Sequence, residues 1–104
     1  MLLKCIVMML IAHLVLVSAF SFEAWSQNNF QGTSKTYTQR GTFKPGFTIK
    51  SYRWDSPSND GCCVKMCNDG NDVGDWCPSH SNGLPSSDFN EVVIGCNDEQ
   101  LVCT

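Results

Sequence analysis

From Phe22 onward, apolar and polar residues alternate with a period of two, in short runs parted by turn-forming residues. Phe22-Glu23-Ala24-Trp25 reads as a strand, and the β-formers of Ser34-Lys35-Thr36-Tyr37-Thr38 read as its return. The polar stretch between them, centred on Asn28-Asn29, makes the pair a β-hairpin. Gln39-Arg40-Gly41 turns the chain, Thr42-Phe43 begins a short strand, and Lys44-Pro45-Gly46 turns it again. Phe47 to Trp54 is predicted as one strand, with Phe47, Ile49, Ser51 and Arg53 on one face and Thr48, Lys50, Tyr52 and Trp54 on the other. Residues 55–61 form a connector in which every residue favours loops. Cys62 to Cys67 reads as a strand that sends Cys62, Val64 and Met66 one way and Cys63, Lys65 and Cys67 the other. The adjacent Cys62 and Cys63 are therefore expected to bridge to different parts of the domain. Asn68 to Asp75 and Pro78 to Ser87 read as loops. After the first residues no window shows a capped 3.6-residue period, so the expected class is all-β.

The N-terminus has a different pattern. Met1-Leu2-Leu3-Lys4 is a short positive start, Cys5 to Ala12 is wholly apolar, and apolar character resumes after His13 through Val17. Small residues follow at Ser18 and Ala19. This is the layout of a secretory signal peptide over 1–21, with cleavage after Ala19 or after Ser21. No second apolar run exists, so the mature chain is expected to be extracellular and not an integral membrane protein.

Export changes the meaning of the cysteines. The remaining residues, 22–104, make one domain too small to bury more than about 60% of its unfolded surface. Cys62, Cys63, Cys67, Cys77, Cys96 and Cys103 remain after cleavage, an even set that reads as three disulfides in an oxidising compartment. Their connectivity stays open. All six lie in the second half, so the first half must hold itself together by packing. Charge is split as unevenly. Lys35, Arg40, Lys44, Lys50 and Arg53 face a single acid, Glu23, up to Trp54, whereas Lys65 stands against nine acids afterwards. A basic half suits anionic surfaces and an acidic half suits cations, although the two also neutralise one another within one small domain.

The stretch Trp25-Ser26-Gln27-Asn28-Asn29-Phe30-Gln31-Gly32 has an aromatic, four residues, an aromatic, one residue and a glycine. This spacing resembles the Greek-key signature of the βγ-crystallin superfamily, in which a folded hairpin lies over a β-sandwich. The resemblance implies that Gly32 occupies a conformation hostile to a Cβ, that Trp25 covers the hairpin, and that Ser51 ties it down. Residues 22–54 then form one Greek-key unit, residues 55–61 the connector and residues 62–104 a second unit. In that second unit Gly74 stands as far from Cys67 as Gly32 does from Trp25. Cys67 replaces the leading aromatic and Asp72 the second, so a disulfide from Cys67 is expected to do the holding. Residues 88–96 resemble the closing segment. The expected fold is a disulfide-stabilised β-sandwich of two Greek-key motifs, a monomer.

Chemistry is sparser. Past the leader the chain has one histidine, His80, read as an exposed loop residue, and no cysteine left over as a nucleophile, so no enzyme is expected. Members of the superfamily bind calcium through two Asn/Asp residues, two variable residues, a hydroxyl residue and Ser. Aligned on that segment, Gly46 to Ser51 places Lys50 at the hydroxyl position, and Asn90 to Gly95 places Ile94 there. Weak calcium binding through Asp69, Asp72, Asn90 and Glu91 stays as an alternative, because these are hard oxygen ligands. Zinc through Cys62, Cys63, Cys67 and Cys77 lacks paired C-x2-C knuckles, and nucleic acid lacks a basic-aromatic motif. Secreted single-domain members of the superfamily include killer toxins, antifungal proteins and a metalloproteinase inhibitor. The resemblance thus implies a binding protein, antimicrobial or host-directed, with a cell-surface, cell-wall or protein target. A calcium-stabilised structural protein and a protease inhibitor presenting Leu84 are the alternatives.

Overall fold

The computed structural model describes residues 20–104, so the signal-peptide segment 1–19 lies outside the described residues. Eight strands follow: β1 (Ser21–Gln27), β2 (Gln31–Tyr37), β3 (Gly41–Phe43), β4 (Ser51–Asp55), β5 (Cys62–Asn68), β6 (Asn71–Trp76), β7 (His80–Asn82) and β8 (Glu91–Cys96). They build two antiparallel four-stranded sheets, ordered β2-β1-β4-β7 and β3-β8-β5-β6. No helix occurs among the described residues, as the absence of a 3.6-residue period predicts. The two sheets are built alike. The first, second and fourth strands of each half share a sheet, and each third strand (β3, β7) lies on the edge of the other half's sheet.

Alternation along the strands explains the core. Phe22 and Ala24 of β1 lie opposite Trp54 and Tyr52 of β4, and all four side chains point inward. From the other sheet come Val64, Met66, Val92 and Ile94, with Phe89 and Ile49 closing the side. Phe22 stacks on Tyr52 at 5.7 Å and meets Phe89 edge-on at 6.4 Å. Trp54 is fully buried, and its indole N–H donates to the Cys77 carbonyl at 3.1 Å. Strand β8 is buried along its whole length, which alternation alone does not give. Its inner face meets the core, while residues 97–104 run back over its outer face. There Leu101 comes so near Gly95 that a Cβ on that residue would sit 2.5 Å from Leu101 Cδ2.

Three predicted elements need correction. The strand foreseen over Phe47–Trp54 begins only at Ser51. Ile49 and Tyr52 both point into the core, which a continuous strand forbids; the chain crosses between sheets there, and Ile49 bridges Phe89 instead. The loop foreseen over Asn68–Asp75 is a tight hairpin, with Asp69 (φ 51°) and Gly70 (φ 83°) at its tip and β6 as its return. The loop foreseen over Pro78–Ser87 contains β7, whose His80 is half-buried and stacks on Trp76 at 3.6 Å. An edge strand of three residues is too short for its alternation to stand out in a sequence rich in Ser, Asn and Gly.

The disulfides resolve the open connectivity. Cys62 bridges Cys96, Cys63 bridges Cys77, and Cys67 bridges Cys103. The adjacent Cys62 and Cys63 do part, one to β8 on the core face and the other to the segment after β6.

Candidate functional site

The first hairpin is assembled from four residues that the motif singled out. Asn29 and Phe30 both take left-handed backbone angles (φ 59° and 60°) at its tip, a conformation disfavoured for any residue with a Cβ. The buried Ser51 holds that tip in place. Its Oγ accepts from the Phe30 N–H at 3.0 Å and donates to the Gln27 carbonyl at 2.6 Å. Gly32 has φ +86°, and a Cβ there would stand 2.4 Å from Ser26 Oγ, which accepts the Thr33 N–H at 2.9 Å. Trp25 meets the Phe30 ring edge-on at 5.1 Å. It lies half-buried on the outer face of its sheet.

Arg53 is the residue that the motif did not indicate. It shares the outer face with Trp25, and its guanidinium sits 5.7 Å from the Trp25 ring and 5.1 Å from the Phe30 ring. Strand alternation placed Arg53 on the Ser51 face, and that was the available signal. A second loop joins this end of the molecule, because the Asn29 N–H donates to the Gly83 carbonyl at 2.8 Å. Next to Gly83, Leu84 is 65% exposed, and its N–H is held by Asn82 Oδ1 at 2.9 Å.

Ser51→Ala tests the hairpin directly. It leaves the Phe30 N–H and Gln27 C=O without a partner, and such orphaned groups cost about 1–3 kcal/mol each when buried. Because the site is partly buried, the expected loss is about 2–3 kcal/mol in a urea melt, and a loss below about 0.5 kcal/mol would show that the hydroxyl is not the tie.

The second half uses other chemistry at the matching places. The Lys50 N–H donates to the Trp25 carbonyl at 2.9 Å, and the Asn90 N–H donates to the Cys67 carbonyl at 2.9 Å. The Cys67 and Trp25 carbonyls thus accept matching backbone bonds, and the bridge from Cys67 to Cys103 fastens residues 97–104 over the sheet. The same correspondence puts Asn90 against Lys50 and Glu91 against Ser51. This moves the closing segment four residues from the alignment foreseen, in which Ile94 and Gly95 held those places. The pairing of β5 with β8, which sets Cys67 opposite Glu91, fixes this register, and no local pattern in residues 88–96 records it. Asn90 ties its hairpin by accepting the Asp69 N–H at 3.2 Å and donating to the Asp69 carboxylate at 2.9 Å. Gly74 (φ 155°) lies in β6 and pairs with Met66 of β5.

Of the four oxygen ligands considered for calcium, the structure gathers three. Asp69, Asn90 and Glu91 line one open cavity of about 430 Å³ with Lys44, Thr48 and Thr104. Asp72 is engaged elsewhere, in an ion pair with Lys65 at 3.3 Å and as acceptor of the Gly74 N–H. Glu91 is almost fully buried, and both of its oxygens accept from Thr104, one from the backbone N–H and one from the hydroxyl. With Asp69 held by Asn90 and both Glu91 oxygens taken by Thr104, these donors are poorly placed for a hard cation.

His80, Trp76, Tyr52, Met66, Val73 and Phe89 line a smaller cavity of about 200 Å³. Burial pushes the Tyr52 hydroxyl above the usual phenol range, opposed by a hydrogen bond with Trp76. Among the described residues, the foreseen neutralisation between the halves amounts to one direct ion pair, Arg40 with Glu99 at 3.2 Å. Hydrogen bonding from the Cys96 N–H and the Arg40 charge hold the Glu99 carboxyl below its ordinary range. Lys35, Lys44, Lys50 and Arg53 are exposed, and among the described residues none has a carboxylate within 4.0 Å. Comparison of the chain with protein-family models, curated proteins and solved structures gives no match.

Proposed function

We propose that the chain is a secreted, non-enzymatic binding protein of βγ-crystallin-like architecture, with two Greek-key units that exchange their third strands. It acts by docking its cationic first half on an anionic cell surface, in an antimicrobial or host-directed role. The architectural part is supported by the matching sheet orders and by the Ser51-tied hairpin. The functional part rests on one observation, the four exposed cations Lys35, Lys44, Lys50 and Arg53 that lack an acidic partner. Cleavage after Ala19 suits this reading better than cleavage after Ser21. It keeps Phe20 packed 5.6 Å from Trp54 and Ser21 paired with Asp55.

Cosedimentation with phosphatidylcholine vesicles, with and without phosphatidylserine, and with an anionic cell-wall polysaccharide tests the docking. Binding is expected only to the anionic partners, and it should fall as salt shortens the screening length. A variant with Gln at Lys35, Lys44 and Lys50 should lose most of the binding and keep its melting temperature. Adding Arg53→Gln should remove the rest at a cost of no more than about 1 kcal/mol in stability. Unchanged binding by that variant would overturn the reading.

The Leu84 loop supports a second reading as a protease inhibitor, because it holds an exposed apolar side chain on a backbone pinned at Gly83 and Asn82. Stoichiometric inhibition of a protease, abolished by Leu84→Asp, would favour it. The calcium-stabilised alternative predicts a raised melting temperature in millimolar calcium; the engaged donors at Asp69 and Glu91 argue for a small change.

A further inference from the structure

The segment 97–104 is fastened to the outer face of its sheet at its far end, and the fastening brings together three groups with metal-binding chemistry. Cys67 of β5 and Glu91 of β8 are direct cross-strand partners, and both are almost fully buried beneath the segment. Cys103 lies above them, half-buried. One ligand atom from each of Cys67, Glu91 and Cys103 falls within 4.8 Å of the others. While the disulfide is closed, its sulfurs have no thiolate to offer.

We propose that reduction of Cys67–Cys103 converts this fastening into a site for zinc or a similar thiolate-seeking divalent cation, held by the two thiolates and the Glu91 carboxylate. Zinc accepts this ligand set, with Zn–S near 2.3 Å and Zn–O at about 2.0–2.2 Å, and a water fills the fourth position. Cys67 and Glu91 are set by the ladder of two central strands. Cys103 lies outside every strand, so it is the ligand free to move outward as the sulfurs part. The soft thiolates select against calcium and magnesium. The other bridges do not carry the same possibility, because no other such cluster of His, Cys, Asp or Glu occurs among the described residues.

The chemistry balances. A dithiol passes two electrons and two protons to the Cys67–Cys103 bond and leaves as its own disulfide. The cation then displaces one proton from each cysteine thiol to solvent and forms two metal–sulfur bonds, with no change in its oxidation state. One Glu91 oxygen turns to the metal and the other keeps a Thr104 hydrogen bond. The segment 97–104 is thus fastened by the disulfide under oxidising conditions and by the metal under reducing ones.

The test uses the full domain, treated with limited dithiol so that Cys62–Cys96 stays closed; these residues are only 6% and 7% exposed. Alkylation and mass mapping identify the open bridges. After anaerobic removal of the dithiol, cobalt(II) is added as a spectroscopic probe, followed by zinc. The expected result is a thiolate-to-cobalt absorption at one ion per chain, abolished by stoichiometric zinc. Cys103→Ser should roughly halve its intensity, Glu91→Gln should weaken binding by about 10-fold or more, and Cys63→Ser with Cys77→Ser should leave it unchanged. Absence of the band, or a band indifferent to Cys103→Ser and Glu91→Gln, overturns the proposal. Should the partly reduced protein lose its near-ultraviolet dichroism, zinc must restore it in the parent, and Glu91→Gln must need about 10-fold or more zinc for the same recovery. Failure to restore it also overturns the proposal.

Discussion

Reducing all three disulfides is expected to unfold the protein, whereas opening Cys63–Cys77 alone should leave it folded. The bridges span 34, 14 and 36 residues. On the chain-entropy account, loops of these lengths contribute about 3–4 kcal/mol each, the shortest the least. Their sum is comparable with the whole stability of a small domain, about 5–15 kcal/mol. Replacing Cys63 and Cys77 with Ala should cost about 3 kcal/mol, and replacing Cys62 and Cys96 about 4 kcal/mol. The second pair should prove worse than loop length indicates, since its sulfurs join β5 to β8 within the core. Near-ultraviolet dichroism followed against the count of free thiols decides the matter. A fully reduced chain that keeps its dichroism would show that packing alone sustains the fold.

Trp54→Ala should be the most damaging single substitution, costing about 3–5 kcal/mol, while Trp25→Ala costs about 1–2 kcal/mol. Burial sets the difference. Trp54 is wholly enclosed between the sheets, touches Phe20 and Phe22, and spends its indole N–H on the Cys77 carbonyl. Trp25 lies half-buried on the outer face against Phe30 and Arg53. Trp54→Ala also strands the Cys77 carbonyl and opens a cavity that the bridge at Cys77 prevents from collapsing. Trp25→Phe should cost less than Trp25→Ala, because a ring remains to meet Phe30. Thermal melts of the three variants provide the check. Equal losses at the two tryptophans, or a larger loss at Trp25, would mean that the hairpin cover outweighs the core.

Much of this was legible in the chain itself. A period of two is a local property, so β1, β2 and β5, and the face shared by Cys62, Val64 and Met66, follow from residue order. The spacing from Trp25 to Gly32 likewise marked a tight turn, because left-handed and cramped positions restrict which residues fit. Ser51 was found by its place in that pattern. Adjacent Cys62 and Cys63 must point to opposite faces, and this too needed no partner to be known.

What lay beyond the sequence depends on meetings between distant segments. The third strand of each half takes its hydrogen bonds from the other half, so neither the short β7 nor the late start of β4 at Ser51 has a local signal. Glu91 sits on an outer face, where alternation calls for an exposed acid. It is buried because residues 97–104 fold back and Thr104 satisfies both of its oxygens. Trp25 and Trp54 look alike as residues, and only the placement of the second sheet encloses one and leaves the other on the surface. Alternation assigns faces, but burial needs a partner across the gap, and the tertiary fold alone supplies that partner.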